Sequence, residues 1–393
     1  RVIIMSQINV RNLSNENDDG APDIVGVSTF SATSYFVPPV GTTAERPTNP
    51  QGGDLRFNTD IGSLEYFRGD IIGWTQIEMT SPDLNGGARG LAMGGEIAAS
   101  PYGQDQIDYF NISTLGNGQD FGNLTQRRGT AGACASRTRG LCMSGYEGGY
   151  HNIIDYVTIS SLGDAQNFGD LPVAVQGADS LSNAIRAVIT SGSEGTAPAY
   201  GMTNVLSYVT IATTSDTQDF GDLTRNYGYG GTCSSSTRGL FAGGYDTRPT
   251  VVNTIEYITI ASTGNSAEFG DFNGVRRNCM GISNSIRGVF AGGLSPTALN
   301  NIEYVTIATL GNGQDFGDLS TDGGQGRSLR DSGMASPTRG LFVGGNYPGS
   351  PAWPKVNTVD YVEIATTGNS KDFGDLSVAM SAIPGCSNAH GGL

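Results

Sequence analysis

The chain has 393 residues, 59 of them glycine, with only 15% charged residues and a net charge of −15. A surface this negative repels phosphate backbones and argues against nucleic-acid binding. No apolar run approaches the roughly 18 residues of a membrane-crossing helix. Abundant Gly with Thr, Ser, Val and Ile indicates an all-β, turn-rich class, as one large β architecture or as two or three average domains.

The first five residues are too short for a signal peptide, and Met5 reads as an initiator. Residues 1–40 are polar and irregular and are expected to form an extended arm, with one weakly alternating stretch at 28–37. Their apolar content is too low for a core of their own, so they are expected to pack on other chains. Residues 41–79 are expected to form a small β module. A turn cluster at 46–53 precedes strands at 54–59, 64–67 and 74–77. Three short strands are marginal as a free-standing fold, and oligomerisation is the natural remedy.

This module resembles one common in bacteriophage fibre and other virion structural proteins, including those of marine cyanophages. The residues that carry the resemblance are Gly41-Thr-Thr-Ala-Glu-Arg-Pro-Thr-Asn-Pro50, Gly53-Asp-Leu-Arg-Phe-Asn-Thr59, Leu64-Glu-Tyr-Phe67 and Trp74-Thr-Gln-Ile77. The resemblance covers about a tenth of the chain. It implies a component of an extracellular particle, often trimeric, that meets other virion proteins through residues 1–79.

From about residue 80 three phrases recur six times. One copy reads Thr237-Arg-Gly-Leu-Phe-Ala-Gly-Gly-Tyr245, Asn253-Thr-Ile-Glu-Tyr-Ile-Thr-Ile260 and Ser266-Ala-Glu-Phe-Gly-Asp271. The arginines fall at Arg89, Arg139, Arg186, Arg238, Arg287 and Arg339, a period near 50. The tyrosines fall at Tyr109, Tyr156, Tyr208, Tyr257, Tyr304 and Tyr361, and a phenylalanine follows each at 12 residues. Short β-like runs at that period imply four-stranded units. The order, with Gly-Gly ending the second strand, resembles the kelch repeat, although Phe stands where kelch blades usually carry Trp. The fold expected for 80–393 is therefore a six-bladed kelch-like β-propeller. The first repeat lacks a good first strand, and residues 380–389 supply a surplus one. Ring closure by the C-terminal strand, beside Gly90-Leu-Ala-Met93, follows from that mismatch.

Chemistry-bearing patterns are scarce. The two histidines, His151 and His390, cannot supply a copper set of the galactose-oxidase kind, and no nucleophile–base pattern is present. Asp-Phe-Gly at Asp219, Asp315 and Asp372 repeats without a kinase catalytic loop, and reads as a turn in which Asp222 or Asp318 bonds backbone amides. Glu147, Glu194 and Asp246 are isolated loop carboxylates. Cys134, Cys233 and Cys386 each lie 13 residues after a repeat Phe, so they are equivalent inner-strand thiols too far apart to bridge. No catalytic residue, metal or cofactor is expected. The six arginines are expected to fork onto the matching Asp170, Asp222, Asp271, Asp318 and Asp375, with Asn123 in the first repeat. A ligand-binding ring of arginines is the other reading.

Length variation marks a face. The Arg-to-Tyr interval runs 20, 17, 22, 19, 17 and 22, whereas Tyr-to-Phe never changes. The second-to-third and fourth-to-first loops share one end of the blades, so binding is expected there. The candidate surface is 146–151, 194–200, 245–250, 320–330 and 347–353, with Tyr150, Tyr200, Tyr245, Tyr347 and Trp353 as ligand contacts. The function expected is a non-enzymatic phage virion protein (tail fibre, appendage or surface decoration) displaying the propeller to a host glycan or outer-membrane component. A ligand-free connector and a secreted carbohydrate-active propeller are the alternatives.

Overall fold

The structure, a computed structural model, describes residues 38–76, 88–194, 201–330, 332–347 and 353–393. The arm expected at 1–40 lies almost wholly outside the described residues. The chain divides into two units, Arg1–Ser81 and Pro82–Leu393.

The first unit holds one small sheet of Val40–Gly41, Leu55–Asn58, Ser63–Phe67 and Trp74–Gln76, paired in that order. Val40–Gly41 adds a parallel edge that alternation alone does not reveal. The module is held largely by charge. Glu65 is buried, and Arg46 grips it with Nε at 3.2 Å and Nη2 at 2.6 Å while Asn58 Nδ2 donates at 3.1 Å. Phe67 packs on Trp74 at 5.6 Å beside this pair.

The second unit is all-β and propeller-like. Its strands group into four-stranded antiparallel sheets, one per sequence repeat. The best-formed runs Gly231–Ser234, Arg238–Ala242, Thr254–Thr259 and Ala267–Asp271 from the inner to the outer strand. One sheet gains a fifth strand, Ser193–Glu194, at its outer edge. The sheet of the first repeat is completed by Gly385–Ser387, which pairs with Arg89–Glu96 so that Cys386 faces Leu91. The inner strand of each sheet touches that of the next, and Gly385–Ser387 touches both Gly132–Ala135 and Met334–Ala335.

The core lies between adjacent sheets. This explains strands such as Asn301–Thr306, where Ile302, Glu303 and Val305 are all buried: both faces of a strand are covered by neighbours. The glycine of the Arg-Gly pair is a packing requirement. A Cβ on Gly239 would stand 2.5 Å from Leu181 of the preceding inner strand. The glycine of Phe-Gly-Asp meets a second constraint. At Gly221 φ is +139°, and a Cβ would stand 2.6 Å from the Gly264 carbonyl. All five cysteines are free and buried.

Candidate ligand-binding cleft

The repeat arginines do not fork onto the repeat aspartates. Arg238 Nη1 donates to the carbonyls of Ile307 and Ala308, at 3.1 and 2.9 Å, in the following sheet. Arg89 reaches Ile159, Arg139 reaches Ile211, Arg186 reaches Ile260 and Arg287 reaches Ile364 in the same way. Arg339 reaches Ser113 and so links the last sheet to the first. Each guanidinium also lies over its own repeat's tyrosine, at 4.3 to 5.0 Å. The expectation failed because the third strand ends with unpaired carbonyls just where a long flat cation arrives, and guanidinium takes those acceptors.

The aspartates serve through their backbones. The N–H of Asp222, Asp271, Asp318 and Asp375 donates to an Asn Oδ1 from the next sheet's Gly-Asn turn, each at 3.0 Å. Asp170 and Asn123 have Asp216 and Asp164 in that place. These amides are therefore capped by a neighbour, the reverse of the expected Asp222 or Asp318 side-chain cap.

Real arginine–carboxylate pairs exist elsewhere. Arg128–Asp155 (2.8 Å), Arg225–Glu256 (3.2 Å), Arg276–Glu303 and Arg327–Asp360 are buried ion pairs. In each, an arginine leading into a sheet's inner strand meets the acid just before that same sheet's repeat tyrosine. The signal was present in the sequence, as an acid before Tyr in an otherwise apolar strand.

The opposite end of the sheets is built around one equivalent backbone position. The residue leading into each inner strand is left-handed: Thr130, Gly177, Tyr229, Asn278, Arg330 and Ala382 have φ between 52° and 63°. Thr130 N–H donates to Ala382, Gly177 to Thr130, Tyr229 to Gly177, Asn278 to Tyr229 and Arg330 to Asn278, at 2.7 to 3.3 Å. This chain of amides links the entries of successive inner strands. Half of it carries Thr, Gly and Ala; the other half carries Tyr, Asn and Arg. Holding a large L-residue in this region costs on the order of 1 kcal/mol or more.

The large half frames a cleft of about 450 Å³. Tyr229, Asn278 and Arg330 line it from the left-handed positions, and Tyr245, Leu294 and Asn346 from the residues that follow the second strands. Arg248 and Trp353 come from long second-to-third loops, and Arg277 and Ser328 complete it. Arg248 lies over Tyr229 and Tyr245 at 4.6 and 5.1 Å, Arg277 over Tyr245 at 5.1 Å, and Arg330 over Tyr229 at 5.7 Å. Among the described residues no Asp or Glu lines the cleft. Burial raises the pKa of the Tyr229 hydroxyl, so it stays a neutral donor beside the arginines.

Of the five expected aromatics, Tyr245 and Trp353 line the cleft. Trp353 is 41% exposed. Tyr150 packs edge-on against Tyr146 at 5.5 Å and does not line it. Tyr347 turns inward, and burial raises its hydroxyl pKa above the usual range. Tyr200 lies outside the described residues. The residues missed were Tyr229, Arg277 and Asn278. They sit in fourth-to-first connections, at the end where binding was expected, but in copies whose length does not vary; aligning the six residues before the inner strands exposes their change in size.

A second, smaller cavity of about 40 Å³ lies among the inner strands. His390 closes on it. Its Nε2–H donates to the Ala135 carbonyl at 2.9 Å and Nδ1 accepts from Gly392 N–H at 3.1 Å, so the imidazole is neutral, and burial lowers its pKa to about 4. Among the described residues no three His, Cys, Asp or Glu side chains gather to hold a metal ion. No protein-family model matches this chain, and no curated protein matches it significantly.

Proposed function

We propose that residues 88–393 form a six-bladed, kelch-like propeller and that the chain is a non-enzymatic phage virion protein that binds a host-surface component through the cleft. The cleft is the observation that carries this reading: a concave, aromatic-lined site on the long-loop end, built at a backbone position that the scaffold could fill with small residues. The one-sheet-per-repeat topology and the circuit of inner strands support the propeller. The virion assignment rests on the fibre-like module. Its outward Ile71 and Ile72, 100% and 56% exposed, support a role in contacting other chains, as a homo-oligomer or with other virion proteins. Among the described residues the cleft presents no facing acid pair of the kind glycan hydrolysis uses.

The test is immunogold electron microscopy of purified particles with antibody to the full chain, paired with adsorption competition by the soluble chain. Surface labelling and blocked adsorption are expected. Particles without the chain would overturn the virion assignment, and labelled particles whose adsorption the soluble chain never blocks would overturn the attachment role.

A further inference from the structure

We infer that the cleft selects an anionic saccharide, a sugar ring bearing a carboxylate or a phosphate; this rests on the ligand-binding reading above. The chain has 22 Lys and Arg against 37 Asp and Glu, yet Arg277 and Arg330 converge on one cleft that no carboxylate lines among the described residues. Among the described residues neither Arg277 nor Arg330 is ion-paired with a carboxylate. These two cations repel one another, and an incoming anion relieves that repulsion while taking up fork-shaped donors.

Trp353 presents an exposed indole at the cleft's edge, a platform for the apolar face of a sugar. Asn278 is 97% buried, since 3% of its surface is exposed, and its Oδ1 has no hydrogen-bond partner; Asn346 Oδ1 is likewise buried and unpartnered. Buried amide acceptors without donors are uncommon and costly, and both residues line the cleft, where ligand hydroxyls would satisfy them. Donors for an anion, acceptors for hydroxyls and an aromatic plane for a ring occur together within a volume suited to one small ligand. A strongly acidic chain makes a nucleic acid a poor occupant.

The experiment is calorimetric titration of the full chain with oligogalacturonate, with mannose 6-phosphate, with the neutral parents oligogalactose and mannose, and with inorganic phosphate. The expectation is binding of one or both anionic sugars at least tenfold tighter than the neutral parents and than phosphate, weakening as salt rises. The two anionic arms separate a carboxylate from a phosphate ligand. Arg277→Ala is expected to lose at least tenfold. Arg330→Gly is expected to lose as much while its melting temperature holds or rises, because glycine suits the left-handed backbone better than arginine does. Equal affinity for neutral and charged sugars would overturn the anion selection but leave glycan attachment standing. Phosphate binding as tightly as either sugar would overturn the saccharide. Anionic binding unchanged in both arginine variants would overturn the cleft as the site.

Discussion

At the residue scale, the buried ion pairs and the carbonyl-bound arginines differ in what their loss exposes. Replacing Glu303 with Ala strands Arg276 in the core, where an uncompensated buried charge costs about 3–5 kcal/mol. Replacing Arg238 with Ala removes half-exposed hydrogen bonds to carbonyls that water reaches, costing roughly 1 kcal/mol. Urea unfolding of the two variants should separate them clearly; equal losses would contradict the distinction. Asp179 is a third kind of buried charge. It is almost fully buried, its Oδ2 accepts from Gly230 N–H at 2.9 Å, and its Oδ1 has no hydrogen-bond partner. Burial pushes its pKa up to about 7 from 3.8. An acid whose folded pKa is raised stays protonated in the fold while the unfolded chain ionises, so stability falls as pH rises from 3.8 to about 7. His390 has the opposite slope: its pKa is lowered from 6.5 to about 4, and its contribution is lost as pH falls through that window. The two partly cancel between about 4 and 6.5. Asp179→Asn should expose the histidine slope, to which His151, its pKa also lowered by burial, adds with the same sign, and raise the melting temperature at pH 8. A variant with the wild-type pH profile would count against this.

At the element scale, the repeat phrases were legible because their spacing is enforced. Gly of Arg-Gly and Gly of Phe-Gly-Asp are fixed by backbone approach, and the Tyr–Phe edge contact, 6.2 Å for Tyr257 and Phe269, fixes the turn between them. Pairing of Gly385–Ser387 with Arg89–Glu96 was readable from one missing and one surplus strand. Side-chain partners across sheets were not readable, because they depend on which strand ends meet, and spacing within a repeat is silent on that. The same holds for the cleft: Tyr245 and Trp353 stand in loops of variable length, whereas Tyr229 and Asn278 are marked only by side-chain size at a backbone position that all six repeats share. The small module yields its own prediction. The Arg46 fork lowers the Glu65 pKa below its usual 4.5, against the effect of burial. Stability from a lowered acid is present above 4.5 and lost as pH falls through the folded value. Trp74 fluorescence should therefore report loosening of the module only below about pH 4.5, and loosening at neutral pH would contradict the ion-pair core.

At the scale of the whole molecule, one end of the sheets is committed to cohesion and the other is open to change. The Arg-to-carbonyl links and the Asn-capped amides occupy the constant end. The left-handed positions and the long loops occupy the other, where side chains vary from Gly177 to Arg330 over one backbone geometry. Binding is therefore assigned to the variable end. The most direct measurement is the affinity of the full chain for bacterial surface glycans, compared between Tyr245→Ala with Trp353→Ala at one end and Arg186→Ala at the other. The account predicts that the first pair loses at least tenfold in affinity with a melting temperature within about 3 °C of wild type, while Arg186→Ala binds normally and melts lower. Retained binding in the cleft variant, with loss in Arg186→Ala, would contradict it.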